Sequence, residues 1–190
     1  MNLLLGSQSP RRRELLAGLG VSFQTVRIDS DEAWPHTLQG GEIVRYIARE
    51  KAEAYRSQLT AEDLLLTADT IVWVDGQVLG KPHDEADACR MLGLLSGRTH
   101  QVFTGVCLST TERQEAFYDT TDVCFRPLEE AEIAYYVSRY RPLDKAGAYG
   151  IQEWIGYTGC TSLQGSYFNV MGLPTHRVAE ALRRFGISVP

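Results

Sequence analysis

A strand, a short polar turn and a helix follow one another at the amino terminus, and this order constrains the fold more than any other stretch. Leu3-Leu4-Leu5 is an apolar run typical of a buried strand, and the polar turn Gly6-Ser7-Gln8-Ser9 follows it. Pro10 suits the first position of a helix, and Ser9 suits the N-cap because its hydroxyl can accept a hydrogen bond from a free amide. We therefore expect an α/β fold that begins with this unit.

Three consecutive arginines, Arg11, Arg12 and Arg13, occupy the first turn of that predicted helix. Cations at a helix start oppose the helix dipole unless something neutralises them. A solvated basic turn is one explanation. A site in which exposed amides, the hydroxyls of Ser7 and Ser9 and the guanidinium groups bind an anion is the other, and the strand–turn–helix context favours it.

The rest of the chain alternates between helical and β-type patterns, which predicts a mixed sheet flanked by helices. Helices are expected over 10–19, 42–55, 84–95 and 175–185, and a further helix starts at Pro127 and Glu129-Glu130, runs through Val137 and is closed by Pro142. Strands are expected over 3–5, 23–28, 64–74, 99–109, 115–125 and 166–171, with a tight hairpin turn at Asp75-Gly76. No repeat or flexible linker divides the 190 residues, so one domain over 1–190 is expected.

Composition limits the classes of function. The net charge of −5 argues against a general nucleic-acid surface. The four cysteines, Cys89, Cys107, Cys124 and Cys160, lack metal-ligand spacing and are consistent with reduced thiols. No apolar run approaches the roughly 20 residues that span a bilayer, and no signal-peptide pattern is present. A cytoplasmic protein that does not associate with membranes is expected.

An acidic residue interrupts the long apolar strand predicted over 64–74. Asp69 lies between Ala68 and Thr70-Ile71-Val72, where its carboxylate would be partly buried and would need a partner. A structural role, in which Asp69 pairs with a lysine or accepts from backbone amides, is one alternative. A role in holding a metal or activating water is the other, and we favour it.

Further polar residues cluster at the ends of predicted strands. Glu32 closes the acidic run Asp29-Ser30-Asp31-Glu32, and Lys81 follows the strand that returns from the Asp75-Gly76 turn. The glycine-containing stretch 144–152 carries Lys145 and Gln152; it is either a connecting loop or a segment that approaches a ligand closely. Together with Lys51, these cations suit a polyphosphate. The two carboxylates, Glu32 and Asp69, suit a divalent metal and an attacking water.

No nucleophile elbow, Cys/His dyad or GxxxxGK[ST] phosphate loop occurs in the chain. Hydrolysis of a phosphoanhydride by metal-activated water is therefore favoured over kinase-type transfer.

Five ordered motifs resemble the Maf family of nucleoside triphosphate pyrophosphatases over essentially the whole chain. They are Ser7-Gln8-Ser9-Pro10-Arg11-Arg12-Arg13-Glu14-Leu15-Leu16, Arg49-Glu50-Lys51-Ala52, Ala68-Asp69-Thr70-Ile71-Val72, Gly80-Lys81-Pro82 and Asp144-Lys145-Ala146-Gly147-Ala148-Tyr149-Gly150-Ile151-Gln152. The family often has Ser-Gly-Ser or Ala-Ser before Pro-Arg-Arg, whereas this turn reads Gly6-Ser7-Gln8-Ser9 and keeps both serines.

The resemblance implies two lobes around a cleft, a fold related to the inosine triphosphate pyrophosphatases, and a homodimer. It implies a divalent cation, Mg²⁺ or Mn²⁺, and cleavage of a nucleoside triphosphate to monophosphate and pyrophosphate. By this likeness Asp69 is the proton acceptor, and Arg11, Thr70 and Gln152 select the substrate.

The arginine after the proline and the glutamine after Gly-Ile resemble the branch that acts on dTTP and UTP. Physically, an amide offers both a donor and an acceptor to a uracil or thymine edge.

The resulting hypothesis assigns each group a role. Glu32 and Asp69 hold the metal and orient or deprotonate the water, while Lys51 and Lys81 stabilise charge on the phosphates. The segment from Ser7 to Arg13 cradles the triphosphate, and Gln152 and Thr70 read the base. The alternatives are a pyrophosphatase for modified purines such as 7-methyl-GTP, and a nucleotide-binding regulator of cell division with little turnover.

Overall fold

Helices and strands alternate along most of the chain, as the sequence patterns predict. The computed structural model describes all 190 residues. Its helices are α1 Pro10–Ala17, α2 Gly41–Tyr55, α3 Glu85–Leu95, α4 Glu130–Tyr140, α5 Trp154–Gly159, α6 Tyr167–Met171 and α7 Thr175–Arg184. Its strands are β1 Asn2–Gly6, β2 Gln24–Thr25, β3 Asp63–Val74, β4 Gln77–Leu79, β5 Thr99–Ser109, β6 Gln114–Phe125 and β7 Cys160–Gln164. No helix is both long enough and apolar enough to span a membrane.

The seven strands form a mixed sheet, which confirms the predicted fold class. The strand order is β2-β1-β3-β5-β6-β7, and β4 pairs with β3. Strand β1 is parallel to β2 and to β3, with Leu5 opposite Leu66, whereas β3–β4 and β6–β7 are antiparallel. The predicted hairpin turn is present: Asp75 and Gly76 both have positive φ, 49° and 76°, as a tight two-residue turn requires.

The chain divides into two compact units. Unit one comprises Met1–Asp69, Thr104–Asp119 and Gly172–Pro190, and unit two comprises Thr70–Phe103 and Thr120–Met171. In unit one, Leu4 and Leu65 pack with Ala48 and Ala52 of α2. In unit two, a larger apolar core joins β3, β5 and β6 to helices α3 and α4; its members include Val72, Leu92, Leu95, Val102, Val123, Phe125, Tyr136 and Val137.

Local signals at the start of α1 are confirmed. The Ser9 hydroxyl accepts from the amide of Arg12 at 3.4 Å, and Pro10 is the first helical residue. Leu15 and Leu16 are buried, and Gly20, with φ of 73°, supplies the left-handed residue after the helix.

Predicted strands are wrong in two places. The strand expected over 166–171 is absent, and Tyr167–Met171 forms the short helix α6 instead. On this helix the buried side-chain amide of Asn169 donates to the carbonyl of Val102 at 3.0 Å. The strand that does form here, Cys160–Gln164, has mostly exposed side chains and therefore lacks an alternating apolar pattern. The strand expected over 23–28 is reduced to Gln24–Thr25.

Candidate active site

The serine turn and the first turn of α1 hold one arginine firmly. The amide of Ser9 donates to Ser7 Oγ at 3.2 Å, which closes the turn. Arg12 donates from Nε to the carbonyl of Gly172 at 2.8 Å and from a terminal nitrogen to Ser7 Oγ at 3.5 Å. The Arg12 guanidinium is therefore fixed between the turn and a carbonyl 160 residues later in the chain.

The three arginines of α1 differ in exposure. Arg11 and Arg12 are partly buried, and Arg13 is exposed. Burial lowers the pKa of Arg12, and the negative charge of Asp69, followed by that of Glu32, acts in the opposite direction. Both carboxylates are thus close enough to act on the guanidinium electrostatically. No acidic residue occupies the first turn, so the helix start keeps its excess of positive charge.

A lysine lies between the two carboxylates that the sequence predicts for the site. Lys51 Nζ is 2.7 Å from Glu32 Oε1 and 2.7 Å from Asp69 Oδ1. The Lys51 and Asp69 side chains are only 12% and 13% exposed, whereas that of Glu32 is 52% exposed. The structure therefore joins these three residues in one cluster. It also realises the pairing of Asp69 with a lysine that we considered as a structural alternative.

A buried hydrogen bond sets the register that brings Lys51 to Asp69. Thr67 Oγ donates to the carbonyl of Ala48 at 2.6 Å, and this bond ties β3 to α2. Asp69 lies two residues after Thr67, on the same face of the strand, and Lys51 lies one helical turn after Ala48. The cluster is thus positioned by the elements themselves rather than by a loop; only Glu32 comes from a loop.

The donor set of this cluster fits a divalent cation. Oxygen atoms of Glu32 and Asp69 already converge on one positive group, each at 2.7 Å from Lys51 Nζ. Mg²⁺ is commonly bound by one or two carboxylates together with substrate phosphates, which matches two carboxylates at a basic helix start. No group of three or more His, Cys, Asp and Glu side chains forms a cation site made by the protein alone.

In unit two, a second lysine is held by two carboxylates. Lys145 Nζ is 2.9 Å from Asp144 Oδ1 and 3.2 Å from Glu153 Oε1, and the side chain is 11% exposed. The amide of Gly147 donates to the carbonyl of Gly80 at 3.0 Å, so the segment that carries Lys145 lies beside the loop that carries Lys81. Lys81 itself is exposed.

The residues expected to select the substrate are partly buried. Arg11 lies in unit one, and Thr70 and Gln152 lie in unit two, Thr70 directly after Asp69. The side-chain oxygen of Gln152 is shielded from solvent and accepts no hydrogen bond. A buried amide oxygen without a donor is costly, and a ligand that supplies an N–H would remove that cost.

Sequence reasoning missed three groups that position the predicted residues: Tyr136, Glu153 and Gly172. The hydroxyl of Tyr136 donates to Glu153, which is also the partner of Lys145. A phenol on the apolar face of a predicted helix was the available signal, because a buried hydroxyl needs a partner. Gly172 acts through its carbonyl, for which a sequence carries no signal.

Comparison with known proteins agrees with this fold. A solved structure described as the Staphylococcus aureus Ham1 protein matches with a TM-score of 0.50 and 14% sequence identity, over 66% of this chain and 72% of that one. This likeness shows the fold alone, and it confirms the expected resemblance of the fold to that of Ham1-like proteins.

Sequence comparison then identifies the family. The profile described as Maf-like protein matches residues 2–185. A Bacteroides fragilis protein named dTTP/UTP pyrophosphatase is 56% identical over 183 residues, 96% of this chain and 95% of the relative. A Porphyromonas gingivalis protein of the same name is 53% identical over 189 residues, 98% of this chain and 95% of the relative. The chain belongs to the Maf family, as its five motifs indicate.

Proposed function

We propose that this protein hydrolyses dTTP and UTP to the nucleoside monophosphate and pyrophosphate. Relatives that are more than half identical over nearly the full length carry the name of this activity. The observation that carries the chemistry is the Glu32–Lys51–Asp69 cluster, in which a partly buried carboxylate is held at 2.7 Å by an ammonium group. Neither the 7-methyl-GTP alternative nor the regulator with little turnover is favoured by the names of these relatives.

In the proposed reaction, Asp69 accepts a proton from the attacking water. The water oxygen forms a bond to the α-phosphorus, and the bond from that phosphorus to its bridging oxygen breaks, which releases pyrophosphate. Lys51 keeps the Asp69 carboxylate oriented through their contact at 2.7 Å. Removing one carboxylate therefore removes the base while leaving its positioning partner in place.

A divalent cation, Mg²⁺ or Mn²⁺, would be held by Glu32 and Asp69 together with the substrate. When bound, it supplies charge stabilisation to the phosphate oxygens. Cationic side chains of the protein also stabilise the negative charge of the phosphates. Arg12, fixed by Ser7 and Gly172, offers a preorganised guanidinium to the triphosphate, and preorganised charge costs no rearrangement during the reaction.

The other predicted residues supply the remaining roles in this proposal. Lys81 and Lys145 stabilise negative charge on the phosphates. Gln152 reads the base, since its unpartnered oxygen can accept from the N3–H of uracil or thymine. The N3 atom of cytosine carries no hydrogen and is itself an acceptor, so CTP would present an acceptor to this oxygen at the position where UTP presents a donor. Thr70 and Arg11 complete the substrate-selecting set, and Ser9 and Arg13 the triphosphate-binding set.

The homodimer and the arrangement of one domain as two lobes around a cleft remain predictions from the family resemblance. The cytoplasmic location remains a prediction from the sequence composition.

A nucleotide panel with a pyrophosphate readout tests the proposed function. Wild-type protein should release pyrophosphate from dTTP and UTP with kcat/KM at least about tenfold higher than from CTP, GTP or 7-methyl-GTP, the difference that one good hydrogen bond provides. The panel is run with Mg²⁺, with Mn²⁺ and with a chelator. Preferred cleavage of a purine nucleotide, or nucleotide binding without pyrophosphate release, would contradict the proposal.

A further inference from the structure

One phenol in the core of unit two holds both ends of the turn that carries Gln152. Tyr136, on α4, is fully buried. Its hydroxyl oxygen accepts from the amide of Gly150 at 3.0 Å, and the hydroxyl donates to Glu153 Oε2. The amide of Glu153 in turn donates to the carbonyl of Gly150 at 3.0 Å, which closes the turn from Gly150 to Glu153.

The same carboxylate reaches the buried lysine. Glu153 Oε1 is 3.2 Å from Lys145 Nζ, while its other oxygen, Oε2, accepts from Tyr136. One carboxylate therefore links the phenol to the ammonium group, and its own side chain is only 20% exposed. Because each oxygen has a different partner, a change at Tyr136 is transmitted to Lys145 through a single rigid group.

The packing leaves little freedom for this arrangement to move. A Cβ placed on Gly150 would lie 2.9 Å from Glu153 Cδ and 3.1 Å from Lys145 Cε, closer than ordinary contacts. Burial, together with the bond to Glu153, raises the pKa of Tyr136, so its hydroxyl stays protonated and remains a donor. A neutral buried phenol with one donor and one acceptor contact has its hydrogen-bonding capacity used on this turn.

We propose that Tyr136 is a positioning residue that sets Gln152 and Lys145 together, through the turn it closes and through Glu153. The inference rests on the proposed function, in which Gln152 reads the base and Lys145 binds phosphate. We call the hydrogen-bonded group of Tyr136, Gly150 and Glu153 the clasp. Selectivity for the pyrimidine then depends on the clasp as well as on the side chain of Gln152. Tyr136 touches neither base nor phosphate in this account; it acts through the residues it holds.

Two substitutions separate the effect of Tyr136 on the turn from its effect on Lys145. Tyr136→Phe removes the hydroxyl and so loosens both the turn and the Glu153 carboxylate. Glu153→Gln keeps an oxygen that can accept from Tyr136 but removes the charge that pairs with Lys145. Tyr140→Phe is the matched control, because Tyr140 lies on the same helix, its ring stacks on that of Tyr136 at 5.0 Å, and it is 37% exposed.

Steady-state kinetics with UTP and CTP, and amide hydrogen exchange over residues 145–153, are measured for all four proteins. Tyr136→Phe should lower the UTP-to-CTP ratio of kcat/KM by about tenfold, raise KM more than it lowers kcat, and speed exchange at Gly150 by about tenfold, as expected for loss of a buried hydrogen bond. Glu153→Gln should raise KM for UTP and leave the UTP-to-CTP ratio unchanged. Tyr140→Phe should match wild type.

The inference is overturned when Tyr136→Phe loses stability but keeps the wild-type UTP-to-CTP ratio and KM, since that is the behaviour of a residue that only fills the core. Should Tyr136→Phe fail to fold, Glu153→Gln decides, and a wild-type KM for UTP in that variant overturns the link to Lys145. Absence of UTP cleavage by the wild-type protein contradicts the proposed function instead, and exchange at Gly150 then still shows whether the clasp exists.

Discussion

At the scale of single residues, Asp69 has the central role in the proposed reaction, that of the general base. Its side chain is 13% exposed and its carboxylate contacts Lys51 Nζ at 2.7 Å, which fixes the group that is to accept the proton from water. We expect Asp69→Asn to lower kcat by about 10²–10⁴-fold, the usual contribution of a general base, while dTTP still binds. Pyrophosphate release and nucleotide binding are measured separately. Normal turnover by this variant would remove Asp69 from the reaction.

Asp63 gives the matched control in the same strand. It accepts from the amide and the hydroxyl of Thr60 at 2.9 and 2.7 Å, and these bonds lower its pKa. Its role is therefore to fix the start of β3. We expect Asp63→Asn to lower thermal stability and to keep kcat near the wild-type value, the opposite pattern to Asp69→Asn.

Gln152 is the residue at which the choice of base is predicted to lie. A carboxylate in its place would accept from a pyrimidine N3–H but would lose the amide donor. Gln152→Glu should therefore lower kcat/KM for UTP by at least about tenfold, the loss of one good hydrogen bond. The exposed Gln77 of β4 allows the same substitution as a control. An unchanged ratio of UTP to purine turnover would exclude Gln152 from base recognition.

At the scale of elements, a buried histidine joins β5 to the segment 145–152. His100 is 1% exposed, its Nε2 is 2.7 Å from the hydroxyl of Tyr149, and its ring packs against Phe125. Burial lowers the pKa of His100 from 6.5 to about 4. Between these values the unfolded chain binds a proton that the folded chain does not, so acidification favours unfolding.

This difference predicts a pH dependence of stability. The free energy of unfolding should fall between about pH 7 and about pH 5 by about 2 kcal/mol more in the wild-type protein than in His100→Gln. Denaturant unfolding at the two pH values measures it. His36→Gln is the control, because His36 is an exposed histidine. Equal slopes in the wild-type protein and His100→Gln would show that the histidine is not buried in the neutral form.

The elements that the sequence predicts correctly are those with local causes. Ser9 and Pro10 start α1 through bonds within one turn, and Asp75-Gly76 reverses the chain within two residues. The prediction of a strand over 166–171 is wrong because this segment is fixed by contacts with residues far away in the sequence. The Asn169 side chain donates to the carbonyl of Val102 and to the hydroxyl of Thr121. Tyr136 and Glu153 were missed for the same reason. They are 17 residues apart, and only packing brings them together.

At the scale of the whole molecule, all the predicted residues except Glu32 come from five motifs spread over most of the chain. Asp69 and Thr70 are neighbours in β3 yet belong to different units, and each unit is assembled from separate segments of the chain. Neither unit is one continuous piece of sequence. All the experiments above therefore use the full chain, and the motifs depend on correct folding of both units.

The most direct test of the proposed reaction is to determine which phosphorus the water attacks. UTP is cleaved in ¹⁸O-labelled water, and the products are analysed by mass spectrometry, with Asp69→Asn as the control for background hydrolysis. Attack at the α-phosphorus predicts that the label appears in UMP and that the pyrophosphate carries none. Label in the pyrophosphate, or release of UDP and inorganic phosphate, would contradict the account.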